Sequence, residues 1–169
     1  GRYQGYAYGN VSQRSRRQPG QFIISASQTG QLPELAREHY VCIEKTDIAH
    51  NRVHARGLLI PSSEVLTHAA IYRLNPEIGC VLHVHDQKMW QFGLQQEVPS
   101  TDPDVAYGTP AMAAEILRLY QSGQLDQQRV LVMAGHQDGV ISFGNSIDDA
   151  GCAMLDFWMQ TQMQLRESD

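Results

Sequence analysis

Apolar residues along this chain come in short bursts separated by Gly, Pro, Ser and Asp, the spacing of strands that alternate with helices. GQFIISASQTG predicts a strand over Phe22 to Ile24 that enters a Ser/Thr/Gly loop, and HYVCIEK a second strand centred on Val41 to Ile43. ARGLLIP predicts a third, stopped by Pro61. In SSEVLTHAAIYRLNP, Val65, Leu66, Ala69, Ala70 and Leu74 recur at helical spacing, with Ser62 and Ser63 as capping candidates and Pro76 beyond the end. A helix is therefore expected to start at the serines.

GCVLHVH predicts a fourth strand, TPAMAAEILRLYQSG a capped helix ending at Gly123, RVLVMAG a fifth strand and DGVISFG a further one. Trp90 and Phe92 suit a short helix or a cover over a site entrance. The chain closes with an amphipathic helix carrying Ile147, Ala150, Met154, Leu155 and Trp158 on its apolar side. Several strand pairs are joined too tightly for crossover helices. The expected fold is α/β, three layers α/β/α, with a central, mainly antiparallel (mixed) sheet. No repeat, linker or low-complexity segment divides the chain, so one domain over residues 1–169 is expected.

Composition narrows the function classes. A chain of 169 residues, 42% hydrophobic with a net charge of -5, can bury a core and lacks the basic excess of a general nucleic-acid or membrane-surface binder. Arg14, Arg16 and Arg17 form a local exception, read as a solvated loop or a contact with a neighbouring subunit. Cys42, Cys80 and Cys152 are widely separated in apolar surroundings, which suits buried thiols in a reducing compartment. No apolar run approaches a membrane span, and the opening shows no basic region followed by a hydrophobic stretch, so a cytoplasmic location is expected. The opening is also abrupt, as though a preceding helix belonged to a longer precursor.

The chemistry concentrates in GCVLHVHDQ. Side chains in a strand alternate faces, so His83 and His85 point the same way, as two ligands of one metal would. A lone H-x-H pair is as readily two hydrogen-bonded histidines at a strand end. His136, in the glycine-bounded turn of MAGHQDG, adds a further imidazole, and Asp138 in the same turn a carboxylate. PSSE, Pro61 to Glu64, places two serines and an acid at a helix start, where free backbone N–H groups favour an anion. Taken alone, that stretch is equally a helix cap. His68, one turn after Glu64, is placed to orient that carboxylate or to lie in the core or on the helix surface.

In combination, GNVSQR, ISASQTG, PSSEVLTHAAIYRLNPEIGCVLHVHD, AYGTPAMAAEI and DGVISFGNSIDDA resemble the class II aldolase/adducin family, in order and over nearly the whole chain. The resemblance implies an α/β/α fold and, as in the family's aldolases, a homotetramer with active sites at subunit boundaries. It implies a divalent metal, zinc first with Mn, Fe, Co and Ni also open, on His83, His85 and a third ligand. It implies Glu64 as acid/base and a phosphate pocket from Asn10, Thr29, Gly30, Ser62 and Ser63.

The expected activity is that of a metal-dependent lyase that cleaves or rearranges a small hydroxy-carbonyl compound, such as a sugar phosphate, through a metal-stabilised enediolate. Dehydration, decarboxylation or epimerisation on the same metal is the alternative within catalysis. A non-catalytic adducin-like binding module is the alternative outside it, and it predicts loss of the ligands this chain keeps.

Three departures from the family pattern stand out. The family's third histidine precedes glycine directly, whereas this chain reads His136-Gln137-Asp138-Gly139. A gapless match puts Asp138 in the ligand place and a small insertion puts His136 there, with His136 preferred on ligand chemistry. The segment after His85 is short and contains no tyrosine before Asp104, leaving Tyr107 as the nearest phenol, and the Ser/Thr/Gly loop is one residue longer than usual.

Overall fold

A computed structural model describes residues 8–126 and 128–167, and residues 1–7, where the expectation about the chain start falls, lie outside it. Seven strands follow one another as β1 (Asn10–Arg14), β2 (Phe22–Ser25), β3 (Tyr40–Asp47), β4 (Arg52–Arg56), β5 (Cys80–His85), β6 (Val130–Val132) and β7 (Gly139–Gly144). They form one sheet in the order β4-β3-β2-β1-β5-β7-β6. Every ladder between these strands is antiparallel, so the mixed character allowed by the sequence is confined to an isolated parallel bridge between Ser100 and Val132. The short connections β1–β2, β3–β4 and β6–β7 leave no room for a crossover, which makes those three ladders antiparallel.

The helices are α1 (Val65–Leu74), α2 (Gln87–Gln95), α3 (Pro110–Gln121) and α4 (Ile147–Glu167). One apolar cluster joins α1 and α3 to the sheet through Ile24, Val41, Ile71, Val81, Ile116 and Ile141. A second joins α2 and α4 to the opposite face through Met89, Val132, Val140, Met154 and Phe157. Two separate cores on the two faces of one sheet make the three-layer α/β/α arrangement expected from the sequence. Trp90 fixes the short α2 by donating from Nε1 to the Met133 carbonyl at 2.9 Å.

Four local expectations are corrected. First, α1 begins at Val65, not at the serines, because Pro61 is bridged to Ala26 and Ser62–Glu64 form the turn that leaves that bridge. Second, the strand expected over ARGLLIP ends at Arg56. Gly57 to Pro61 swings away to reach Ala26, and Leu58 and Ile60 are left 83% and 79% exposed. Third, α4 turns Ala150, Met154, Phe157 and Thr161 inward, while Ile147, Leu155 and Trp158 are exposed, since a helix lying on a flat sheet buries only one stripe. Fourth, Arg14 is no free cation: its guanidinium donates to the carbonyls of Tyr72, Asn75 and Ile78 and ties β1 to the end of α1. Of the cysteines, Cys80 is buried, Cys42 half-buried and Cys152 exposed.

Ile141 is fully buried and sits opposite His83 in the β5–β7 register, so it packs the floor under the histidine pair. Ile141→Ala is expected to lower stability by roughly 2–5 kcal/mol, read as a lower urea midpoint at unchanged slope. A loss under about 0.5 kcal/mol would mean that this floor is not part of the packed core.

Candidate active site

The site grows from the register of the central strands. Antiparallel pairing sets Asn10 of β1 opposite His83, and Gly139 of β7 opposite His85. Residues directly opposed share a face, so β5 presents both imidazoles toward the α1 layer with Asn10 beside them. His136 arrives from the turn between β6 and β7, which closes through Met133 N–H to Gly139 O, His136 N–H to Met133 O and Gly139 N–H to His136 O. Asp138 occupies the left-handed region at φ 67° to complete that turn.

The three rings converge. His83 Nε2 lies 3.1 Å from His85 Nε2, which lies 2.9 Å from His136 Nε2. Among the described residues this is the group of ligand atoms gathered within 4.8 Å of one another, and Asp138 is not part of it. The Val140 carbonyl faces His83 Nδ1 at 3.2 Å and accepts its proton, which leaves the Nε2 lone pair turned inward. Burial holds all three imidazoles neutral: His83 falls well below its usual pKa, and His85 and His136 fall to about 4. Asp138 opposes that shift at His85, so its carboxylate acts on the ring electrostatically. Three neutral imidazoles with nitrogens aimed at one point form a donor set that fits a divalent ion.

Sequence reasoning passed over the glycine that allows this approach. A Cβ at Gly139 would stand 2.8 Å from the His136 ring and 3.2 Å from His83. The available signal was its position after His136 in a strand-initiating turn, but only the register shows that two rings crowd it.

Glu64 stands beside the cluster, with its carboxylate 3.8 Å from His136 Nε2 and almost no exposure. Burial pushes its pKa up to about 7, with the neighbouring Thr67 hydroxyl opposing. Near neutral pH the group is thus poised between its two protonation states, as suits a residue that both accepts and donates a proton. Its placement follows from the turn before α1: the Ser62 hydroxyl accepts from Glu64 N–H at 3.2 Å, and the Glu64 carbonyl starts the helix by accepting from His68 N–H at 3.0 Å.

A cavity of about 330 Å³ opens over these groups, lined by Asn10, Ser27, Gln28, Ser62, Ser63, Glu64, His83 and His136 among others. Of the residues expected to hold phosphate, Asn10, Ser62 and Ser63 line it. Thr29 and Gly30 lie off its wall: the Thr29 hydroxyl turns back to donate to the Ala26 carbonyl at 2.7 Å, and Gly30 is exposed. Ser27 and Gln28 take their place along the loop, Gln28 at φ 63°. Two phenols flank the histidines, Tyr8 stacked on His85 with centroids 4.5 Å apart and Tyr107 on His136 at 4.1 Å.

The family model described as Class II Aldolase and Adducin N-terminal domain matches residues 2–165. A methylthioribulose-1-phosphate dehydratase of Leptospira biflexa is 30% identical, the match covering 84% of this chain and 78% of that protein. One from Xylella fastidiosa is 28% identical over 62% of this chain and 58% of its own length. Among solved structures, an L-fuculose 1-phosphate aldolase superposes with a TM-score of 0.72 at 18% identity, over 98% of this chain and 77% of that one. A sugar-phosphate aldolase from Thermotoga maritima does so with a TM-score of 0.70 at 15% identity, over 98% and 88%.

His136, whose ring converges on the pair, and Asp138, whose carboxylate does not join that group, are told apart by metal titration. On titration of the metal-free protein with Co²⁺, His136→Ala is expected to lose the visible absorption of a low-coordinate cobalt site, and Asp138→Ala to retain it with affinity reduced roughly 10- to 100-fold. The reverse ranking would assign the third position to Asp138.

Proposed function

The chain belongs to the class II aldolase and adducin N-terminal domain family, and we propose that it is a metal-dependent lyase that dehydrates a small ketose phosphate of the methylthioribulose 1-phosphate type. The observation that supports this most is the buried Glu64 carboxylate beside three convergent imidazoles on the wall of one cavity. Zn²⁺ would be held by His83, His85 and His136, since three neutral imidazoles suit it. When bound, that ion supplies a Lewis acid for the substrate carbonyl.

The residues of the chain supply the rest. In methylthioribulose 1-phosphate the ketone is followed by two hydroxyl-bearing carbons. Glu64 takes the proton from the carbon next to the ketone, hydroxide leaves the carbon beyond, and the Glu64 proton goes to that hydroxide. Water is released and the resulting enol relaxes to a diketone, so atoms balance with no further reactant. Asn10, Ser62, Ser63 and the Ser27–Gln28 loop line the same cavity and are assigned to the phosphate, which fixes the reacting carbons over Glu64.

Elimination is preferred to aldol cleavage because Glu64 alone serves both proton transfers. The absence of a tyrosine between His85 and Asp104 then leaves no step of the elimination unfilled. The relatives named as dehydratases point the same way. The same reading gives a single domain over residues 1–169 that works as a cytoplasmic homotetramer on a small molecule, not on nucleic acid or a membrane. No helix among the described residues is long and apolar enough to cross one.

Glu64→Gln is expected to bind zinc and fold as the parent does while kcat for release of water from methylthioribulose 1-phosphate falls at least roughly 100-fold. A Glu64→Gln protein with parental turnover would assign the proton transfer elsewhere.

A further inference from the structure

Behind Glu64 lies a set of polar groups that neither the metal site nor the cavity wall uses. His68 and Tyr72 are spaced four apart on α1 and share one stripe of the helix, and Glu64, its N-cap, stands four residues before His68 at the head of that stripe. Ser12 of β1 links the last two: its hydroxyl lies 2.7 Å from His68 Nδ1 and 2.8 Å from the Tyr72 hydroxyl. Ser12 and His68 are essentially without exposure, and Tyr72 is buried. At the near end, His68 Nε2, both Glu64 oxygens and the Thr67 hydroxyl are buried polar atoms without a hydrogen bond of standard geometry. Buried polar atoms set this way along one side of a helix start are satisfied through intervening water.

The protons in this set have a direction. The Arg14 guanidinium lies 4.7 Å over the Tyr72 ring and polarises the phenol as a donor. The Tyr72 proton then goes to Ser12, and the single Ser12 proton to His68 Nδ1. Full burial keeps His68 neutral, with its pKa lowered to about 3, and a neutral ring that accepts at Nδ1 carries its hydrogen on Nε2. Side chains of an α-helix lean toward its N-terminus, so the stripe runs from His68 toward Glu64 and the cavity.

We propose that Tyr72, Ser12 and His68 form a directed hydrogen-bond relay whose free end, the His68 Nε2–H, holds the Glu64 carboxylate in its working orientation across one bridging water. His68 is thus a positioning residue that acts through Glu64. The inference rests on the reading of Glu64 as the acid/base, but the relay itself is testable without turnover.

The test uses the zinc-loaded full chain labelled with ¹⁵N-histidine. The His68 ring is expected as the Nε2–H tautomer, with an Nε2 resonance that shifts in Glu64→Gln. An Nδ1–H tautomer, or an Nε2 resonance that ignores Glu64→Gln, would overturn the relay. In the kinetic arm, His68→Asn retains a group at the Nδ1 position and loses the donor at Nε2, whereas His68→Gln restores an amide N–H near Nε2. With methylthioribulose 1-phosphate, His68→Asn is expected to lower kcat roughly 10- to 100-fold at unchanged KM and zinc content, and His68→Gln to recover most of that loss. Equal kcat in His68→Asn and the parent would contradict the proposal, as would equal losses in both variants. If the parent itself fails to turn over this substrate, the assigned reaction falls, and the resonance measurement still decides the relay.

Discussion

The pleat of β5 turns His83 and His85 to one face and Val84 to the other, while β1 and β7 hold that strand from both sides. Everything at the site depends on this clamp. With neighbours in antiparallel register, Asn10 and Gly139 stand opposite the two histidines, one as a polar neighbour and the other as the space into which rings can close. A slip of one residue in either ladder would send the imidazoles into the α2/α4 core and Val84 into the cavity. The apolar clusters on both faces of the sheet oppose such a slip, so the packing of the two cores and the geometry of the site are set by the same register.

The electrostatic character of the site follows from that burial. Desolvation keeps three imidazoles neutral and a carboxylate near half protonation, two shifts of opposite sign from one cause. Neutral imidazoles are the ligand form, and a carboxylate poised near neutrality is the acid/base form. α1 contributes in a second way, because Ser12 of β1 joins His68 and Tyr72 on the helix stripe that Glu64 heads.

Much of this was legible in the sequence. The period-2 placement of His83 and His85, the apolar run of β5, and the Thr109 and Pro110 start of α3 are short-range signals, and the structure follows them. His136 was the preferred third ligand, and its ring is the one that closes on the pair. What local pattern could not supply was contact between distant segments. The bridge from Ala26 to Pro61 delays the start of α1 and cuts the third strand short, and no residue within either stretch announces it. β1 carries only a weak strand signal, yet it holds one side of β5. The placement of Ser27 and Gln28, instead of Thr29 and Gly30, along the cavity depends on the same Ala26 bridge and on the inward turn of the Thr29 hydroxyl.

The central claim is that His83, His85 and His136 hold a divalent ion. The most direct measurement is elemental analysis of the full chain purified without chelators or added metal, beside His83→Ala. About one divalent ion per chain, lost in His83→Ala with the fold retained, is the expected result. A parent protein that carries none and takes up none on titration would contradict the claim and leave a binding module without metal chemistry.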